Sequence, residues 1–376
     1  MINQLIILQP INLCNLNCSY CYVPGRRDST KMGEEILETS IKLLFNSPLV
    51  IHNNILTILW HAGEPMAVGI EYYQKAVELI QKYNVENKKL VLAIQTNATI
   101  INQEWCDFFK KYNFEVGISI DGPKFIHDKQ RRDWNNRGSF DRVLRGAKLL
   151  QENGMDLNAI VVLTNDSLDY PEEIYQFFKN NKFTSFGFNI DENESIHTSS
   201  SFSNLSANHI NRFKNFLSKL YDLWVQDHRA IEIREFIETF NYFAFKKDNQ
   251  NSHILSTDAT AFSIITITKN GDINTFSPEM AGGIATNEKE FTIGNVLNIA
   301  SFDELVENAN FKKQLQGVLK GIENCANSCN YFELCGGGSP SNKYYEKGTF
   351  EATETMYCKL SKQTLIDVIF EKTSLA

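Results

Sequence analysis

The stretch "CNLNCSYCY", Cys14–Tyr22, places three cysteines at 14, 18 and 21. It follows the apolar run "LIILQP", so the thiols fall in the first loop after a strand. Thiolates are ligands for zinc or for an iron–sulfur cluster. Structural zinc calls for four protein ligands, and no fourth cysteine or histidine lies nearby in the chain. A four-iron cluster held by three thiolates leaves one iron open to a small molecule.

Outward from this loop, short β-branched runs alternate with amphipathic helical stretches. The strand candidates are "LIILQP", "ILTILW", "LVLAIQT", "FEVGISI", "NAIVVLT" and "FTSFGFNI". Helical spacing appears between them, as in Leu37, Ile41, Leu44 and in Val143, Ala147, Leu150, the latter closed by Gly154. Six strand–helix units imply an α/β fold with a parallel sheet, whose functional loops follow the carboxyl ends of the strands. The unusual residues of the first four units fall there, in "CNLNCSYCY", "HAGEP", "TNAT" and "DGP". Residues 192–206 are polar and serine-rich and read as a loop. A long helix follows, with Ile210, Phe213, Leu217, Leu220 and Trp224 on one face. The aromatic-rich "IEIREFIETFNYFAF" reads as a bridge between domains. "AFSIITITKNGDINTFSP" then reads as a hairpin around Asn270-Gly271.

With 376 residues, the chain exceeds the roughly 250–300 at which one core stops growing. Its 43% hydrophobic and 22% charged residues suit a globular protein that buries a core. A net charge of −8 without a basic stretch argues against nucleic acid or an anionic membrane as partner. The N-terminus has neither a positive region nor an apolar run long enough for a signal or membrane span, so a cytoplasmic location is expected. The eight cysteines lie in two groups, 14/18/21 and 325/329/335/358, with Cys106 alone in the apolar "EWCDFF". Two soft-ligand groups point to metal chemistry rather than a disulfide framework, and Cys106 to a packed core thiol.

The CX3CX2C pattern, with Tyr20 before its third cysteine, resembles the signature of the radical S-adenosylmethionine (SAM) enzymes. The resemblance implies that Cys14, Cys18 and Cys21 hold a [4Fe-4S] cluster whose open iron binds SAM. It also implies that an external one-electron reductant drives SAM cleavage to a 5′-deoxyadenosyl radical. "GEP", Gly63–Pro65, resembles the segment that holds the SAM amino group, with a charge-assisted contact expected from Glu64. "QTNAT" resembles a third-strand "TNG" motif, which places Gln95 and Asn97 at the SAM or substrate pocket although Ala98 replaces the glycine. "SIDGPKFIHDKQR" resembles a stretch that places Ser119 and Arg131 at the SAM carboxylate.

"CANSCNYFELC" followed by "TETMYC" resembles the SPASM extension of radical SAM peptide maturases. Cys325, Cys329, Cys335 and Cys358 match the four ligands of its second auxiliary cluster, with CX3C in place of CX2C. Phe276 and Ser339 stand where the pattern of the first auxiliary cluster has cysteines. The expectation is therefore one auxiliary [4Fe-4S] cluster, with a four-thiolate zinc site as the alternative. The architecture expected is a partial (β/α)6 barrel over 1–235, a bridging helix and linker over 236–258, and a small SPASM-like unit over 259–376.

"WHAGEP", "GISIDGPKFIHD", "TFSPEM", "IGNV" and "YFELCGGGSPSNK" together most resemble the cyclophane-forming maturases of ribosomally made, glycine-rich-repeat precursor peptides. The resemblance implies a crosslink between an aromatic ring carbon and the β-carbon two residues later, with Glu279 as candidate base. With the cluster loop beginning at residue 14, no separate leader-binding domain is expected ahead of the barrel. Alternatives are formylglycine formation of the sulfatase-maturase kind, another peptide crosslink or epimerisation, and a non-catalytic metal- or iron–sulfur-binding protein.

Overall fold

A computed structural model describes residues 4–51, 55–248, 255–282 and 290–374. All six expected strands form: β1 (Gln4–Leu8), β2 (Leu56–Trp60), β3 (Leu90–Thr96), β4 (Phe114–Ser119), β5 (Asn158–Leu163) and β6 (Ser185–Ile190). Each pairs in parallel with the next, and a two-residue β7 (Glu232–Ile233) extends the series. The helices Glu34–Asn46, Ile70–Tyr83, Gln103–Tyr112, Phe140–Glu152 and Pro171–Asn180 lie between the strands, and Ala207–Gln226 follows β6. Parallel strands need such crossovers, since a tight turn cannot reverse the chain twice.

The helical spacing read from sequence marks the buried faces. Leu37, Ile41 and Leu44 are buried on one helix, and Phe213, Leu217, Leu220 and Trp224 on another. Gly154, with φ +75°, follows the helix Phe140–Glu152 in a left-handed conformation that costs glycine little. Trp60, Tyr73, Trp105, Phe109 and Phe114 stack into an aromatic core against β2 and β4, and Cys106 is enclosed beside them.

Among the described residues, buried apolar side chains of the C-terminal third belong to the same core cluster as those of the barrel. In the expected hairpin, β8 (Ile264–Ile267) and β9 (Asp272–Thr275) pair antiparallel, and β10 (Gly294–Asn295) pairs with β9. β8 lies parallel to β1 in the register Leu5↔Ile264 to Leu8↔Ile267, which makes one sheet in the order β10-β9-β8-β1-β2-β3-β4-β5-β6-β7. The boundary expected at 259 therefore precedes strands that share the barrel's own sheet and hydrophobic core. The helix Arg234–Asp248 occupies the bridging segment, and residues 249–254 of the expected linker lie outside the described residues. The terminal helix Leu365–Ser374 returns to the barrel, where Lys372 pairs with Asp222 at 2.6 Å. Among the described residues, no helix is long and apolar enough to cross a membrane.

Candidate active site

The cysteine loop leaves β1 and is strapped to the segment after β4. Asn17 N donates to Arg132 O at 2.6 Å, Ser19 N to Gln130 O at 3.0 Å, and Trp134 Nε1 to Cys14 O at 2.8 Å. The "GEP" turn approaches from β2, where Glu64 N donates to Leu13 O at 2.8 Å. Gly63 has φ +59°, and a Cβ there would lie 2.6 Å from Ile11 O, so the close approach requires glycine.

These loops enclose a cavity of about 200 Å³ at the carboxyl ends of the strands. Cys14, Cys18 and Cys21 line it together with Tyr20, Gly63, Gln95, Asn97, Ser119 and Arg131. The expected SAM-side residues thus converge from four strand ends, save two. Asn97 Nδ2 donates to Asn15 Oδ1 at 2.8 Å and approaches Cys14 Sγ at 3.7 Å, and Gln95 Nε2 donates to Ser119 Oγ at 2.9 Å. Asp121 gathers the rest. It accepts from Tyr20 OH at 2.6 Å, Arg131 Nε at 3.0 Å and Val162 N at 3.0 Å, while the Arg131 guanidinium lies over the Tyr20 ring. Arg131 is a buried, paired cation rather than a solvated loop residue. Burial holds His127 neutral, with its basicity lowered to about 3, between Asp121 N and Ser139 Oγ.

The two exceptions are Glu64 and Pro65. The Glu64 carboxylate is fully buried and does not line the cavity, although it lies within electrostatic reach of Cys14. Its Oε1 accepts from Met66 N at 3.1 Å and Thr96 Oγ1 at 2.7 Å, and its Oε2 from Asn97 N at 2.9 Å. Three donors fix the side chain inward, where it ties the β2 turn to the end of β3. Pro65 begins the short turn Pro65–Val68 and is likewise buried, its carbonyl accepting from Tyr73 OH at 2.9 Å.

A second cavity, about 320 Å³, lies between the helix Arg234–Asp248 and the segment carrying Cys335, and shares Asn189, Glu192, Glu194 and Glu279 with the first. Glu192 and Glu194 follow β6, whereas Glu279 follows β9 and accepts a hydrogen bond from Ser277 Oγ. Burial pushes Glu279 up to about 7. It pushes Glu192 and Glu194 well above the usual carboxylate range, reinforced by Glu279 beside Glu192 and by Glu192 beside Glu194. Sequence reasoning missed both residues because 192–206 read only as a polar loop. The strand-end rule that found the first four motifs, applied to the sixth strand, points to "DENE". His61 was also missed. It lines the first cavity, lowered to about 4 by burial, and its Nδ1 has no hydrogen-bond partner.

Cys325 lies in the last turn of the helix Ala309–Ser328, Cys329 follows its end, and Cys335 and Cys358 close the short helices Phe332–Cys335 and Met356–Cys358. Cys335 lies within electrostatic reach of Cys325 and Cys329, as Cys358 does of Cys335. Burial is the main cause raising Cys14 and Cys18, the latter to about 12. Enclosed thiols of this kind are acidified by binding a metal, which releases their protons. Zinc would need four sulfurs about 2.3 Å from one point. No group of three or more metal-ligating side chains among the described residues is set to hold a single ion. A four-iron cluster distributes its thiolates over separate irons, and three thiols on one cavity wall fit that donor set.

The sequence matches the Radical SAM superfamily over residues 8–178. A cysteine-type anaerobic sulfatase-maturating enzyme of Clostridium novyi is 30% identical over 93% of this chain and 90% of its own length. The chain belongs to the radical SAM superfamily. An uncharacterized protein of Synechocystis sp. is 37% identical over 97% of this chain and 91% of that one. The solved structure described as native anSMEcpe with bound AdoMet and Cp18Cys peptide shares the fold, with a TM-score of 0.79, 24% identity, and coverage of 99% of this chain and 98% of that one. Membership of the radical SAM superfamily implies a four-iron cluster and SAM as cofactors.

Proposed function

We propose that this radical SAM enzyme oxidises the β-carbon of a cysteine or serine within a polypeptide to formylglycine, the alternative of the sulfatase-maturase kind read from the sequence. The observation that carries the reading is the pair of cavities that meet at Glu192, Glu194 and Glu279. A side chain can enter the pocket beside the three cysteines while the rest of an extended peptide lies in the second cavity. The likeness to the Clostridium novyi enzyme over nearly its whole length supports this better than the crosslink expected from sequence.

In this proposal Cys14, Cys18 and Cys21 hold the cluster that binds SAM, with Tyr20, Gly63, Gln95, Asn97, Ser119 and Arg131 around SAM, and Cys325, Cys329, Cys335 and Cys358 hold an auxiliary cluster. When bound, these groups supply a hydrogen-abstracting radical and an electron acceptor. The chain's own residues position the substrate, exclude water and take up the proton. Glu279 serves as the base, because it borders both cavities and burial brings it near 7, where proton transfer is most effective. Loss of a hydrogen atom, an electron and a proton turns serine into an aldehyde. The same loss turns cysteine into a thioaldehyde, which water converts to the aldehyde with release of hydrogen sulfide.

The second cavity also bears on the substrate. Glu192, Glu194, Glu235, Glu238, Asp258 and Glu279 line it against Arg234 and Lys362. Among the described residues, Glu235 Oε2 is buried without a side-chain hydrogen-bond partner. A peptide with a basic residue near the modified one suits this lining.

One observation favours a second reading, the aromatic-to-β-carbon crosslink. Phe276, which stands where the pattern of the first auxiliary cluster has a cysteine, is buried in the core after β9. The experiment supplies reductant, SAM and peptides carrying cysteine or serine, then traps aldehydes with a hydrazide. A trapped aldehyde supports formylglycine formation. Loss of two hydrogens from an aromatic-containing peptide with nothing trapped moves the assignment to the crosslink.

A further inference from the structure

Lys343, on the helix Pro340–Lys347, is almost wholly enclosed, with 4% of its surface exposed. Its ammonium donates to Gly321 O at 3.0 Å and approaches Cys325 Sγ at 3.3 Å. A Cβ at Gly321 would lie 2.1 Å from Phe350 O and 3.0 Å from Lys343 Nζ, so a glycine opens the slot that the ammonium fills. Among the described residues no carboxylate pairs with Lys343. By contrast Lys362, near Cys335, has Asp258 within electrostatic reach.

A buried ammonium without a counter-charge is strongly disfavoured. Among the described residues, the group in contact that can supply that charge is Cys325, once ligated as a thiolate with the other C-terminal cysteines. We infer that Lys343 is the counter-cation of the C-terminal thiolate centre and holds its reduction potential up, an inference that rests on the auxiliary-cluster reading. Reduction adds negative charge to the centre, and an adjacent ammonium with an N–H···S contact favours the reduced form. Lys343 is a positioning and tuning residue, since it acts through Cys325 and faces neither SAM nor substrate in this arrangement.

The test uses the full chain carrying Cys14→Ala, Cys18→Ala and Cys21→Ala, so that only the C-terminal centre can hold iron. Iron and zinc are measured, and the midpoint potential is followed by an EPR-monitored redox titration. Zinc, or no iron, with Lys343 intact overturns the auxiliary-cluster reading itself. Given iron in that background, Lys343→Met and Lys343→Gln should move the potential to more negative values, with Lys343→Arg staying close to the parent. Iron loss in the two neutral variants, with the arginine variant loaded and unshifted, supports the same role for the charge. Equal potentials across the series, or an arginine variant that shifts as far as the methionine one, overturn the inference.

Discussion

Replacing Glu64 with glutamine separates two roles that the sequence could not distinguish. In the structure Oε1 accepts two hydrogen bonds and Oε2 one, from Asn97 N at 2.9 Å. An amide oxygen in the Oε1 position keeps the Met66 and Thr96 contacts. The amide nitrogen then faces the Asn97 N–H, donor against donor. The loss is one hydrogen bond together with a stranded buried donor, which costs about 2–3 kcal/mol. Glu64→Ala removes the acceptor from all three donors and should cost about 4–6 kcal/mol. Urea denaturation of the anaerobic protein, followed by circular dichroism, reads the loss. A double-mutant cycle with Thr96→Val should return a coupling of about 1 kcal/mol or more. SAM affinity of the folded glutamine variant should change by less than about 0.5 kcal/mol, since the carboxylate does not line the cavity. A variant of unchanged stability but markedly weaker SAM binding would refute this reasoning and restore the contact expected from sequence.

Gly63→Ala should weaken loading of the SAM-side cluster without altering the C-terminal one, because a Cβ would meet Ile11 O and Asn12 O within 3 Å; iron counting in the variant checks this. Glu279→Gln should leave SAM cleavage in place while slowing product formation about 10²–10⁴-fold. In the parent, kcat/KM should rise with pH through about 7 as the raised carboxyl deprotonates, and the glutamine variant should lose that rise. Replacing a basic residue of an accepted peptide with norleucine should raise KM far more than it lowers kcat, and restoring lysine should reverse it; an unchanged KM would remove the acidic cavity from recognition.

The strands were legible because runs such as "LVLAIQT" alternate with helical spacing, and the strand-end rule located the cysteine loop and its neighbours. Side-chain direction was not legible. "GEP" places Glu64 beside the site, but whether its carboxylate points inward depends on Thr96 and Asn97, one strand away. Gly63 was more readable, since close backbone approach is a property of the residue itself. Glu192 and Glu194 were hidden by the polarity of their loop. Their meaning comes from Glu279, which is far off in sequence and is brought beside them by the sheet.

That same pairing argues against an independent barrel unit. β8 covers the edge of β1, with Leu5 N donating to Ser263 O at 2.8 Å and Gln9 N to Ile267 O at 2.9 Å. Gln4 Nε2 adds a contact to Phe262 O at 2.8 Å. β1 also leads directly into the cysteine loop, so the hairpin that carries Glu279 is fixed relative to Cys14 by strand hydrogen bonds and not by a hinge. A chain ending at residue 258 would leave β1, with its Ile6, Ile7 and Leu8, as an open edge, a template for pairing with other chains. It would also leave the helix Ala207–Gln226 without the terminal helix that contacts it. The truncated chain should therefore be found mainly in aggregates, and any soluble fraction should lack a cooperative unfolding transition. If it were instead monomeric, cooperatively folded and able to take up iron at Cys14, Cys18 and Cys21, the division at 259 would mark a true domain boundary. The carboxylates at the junction would then be brought together by docking rather than built into one sheet.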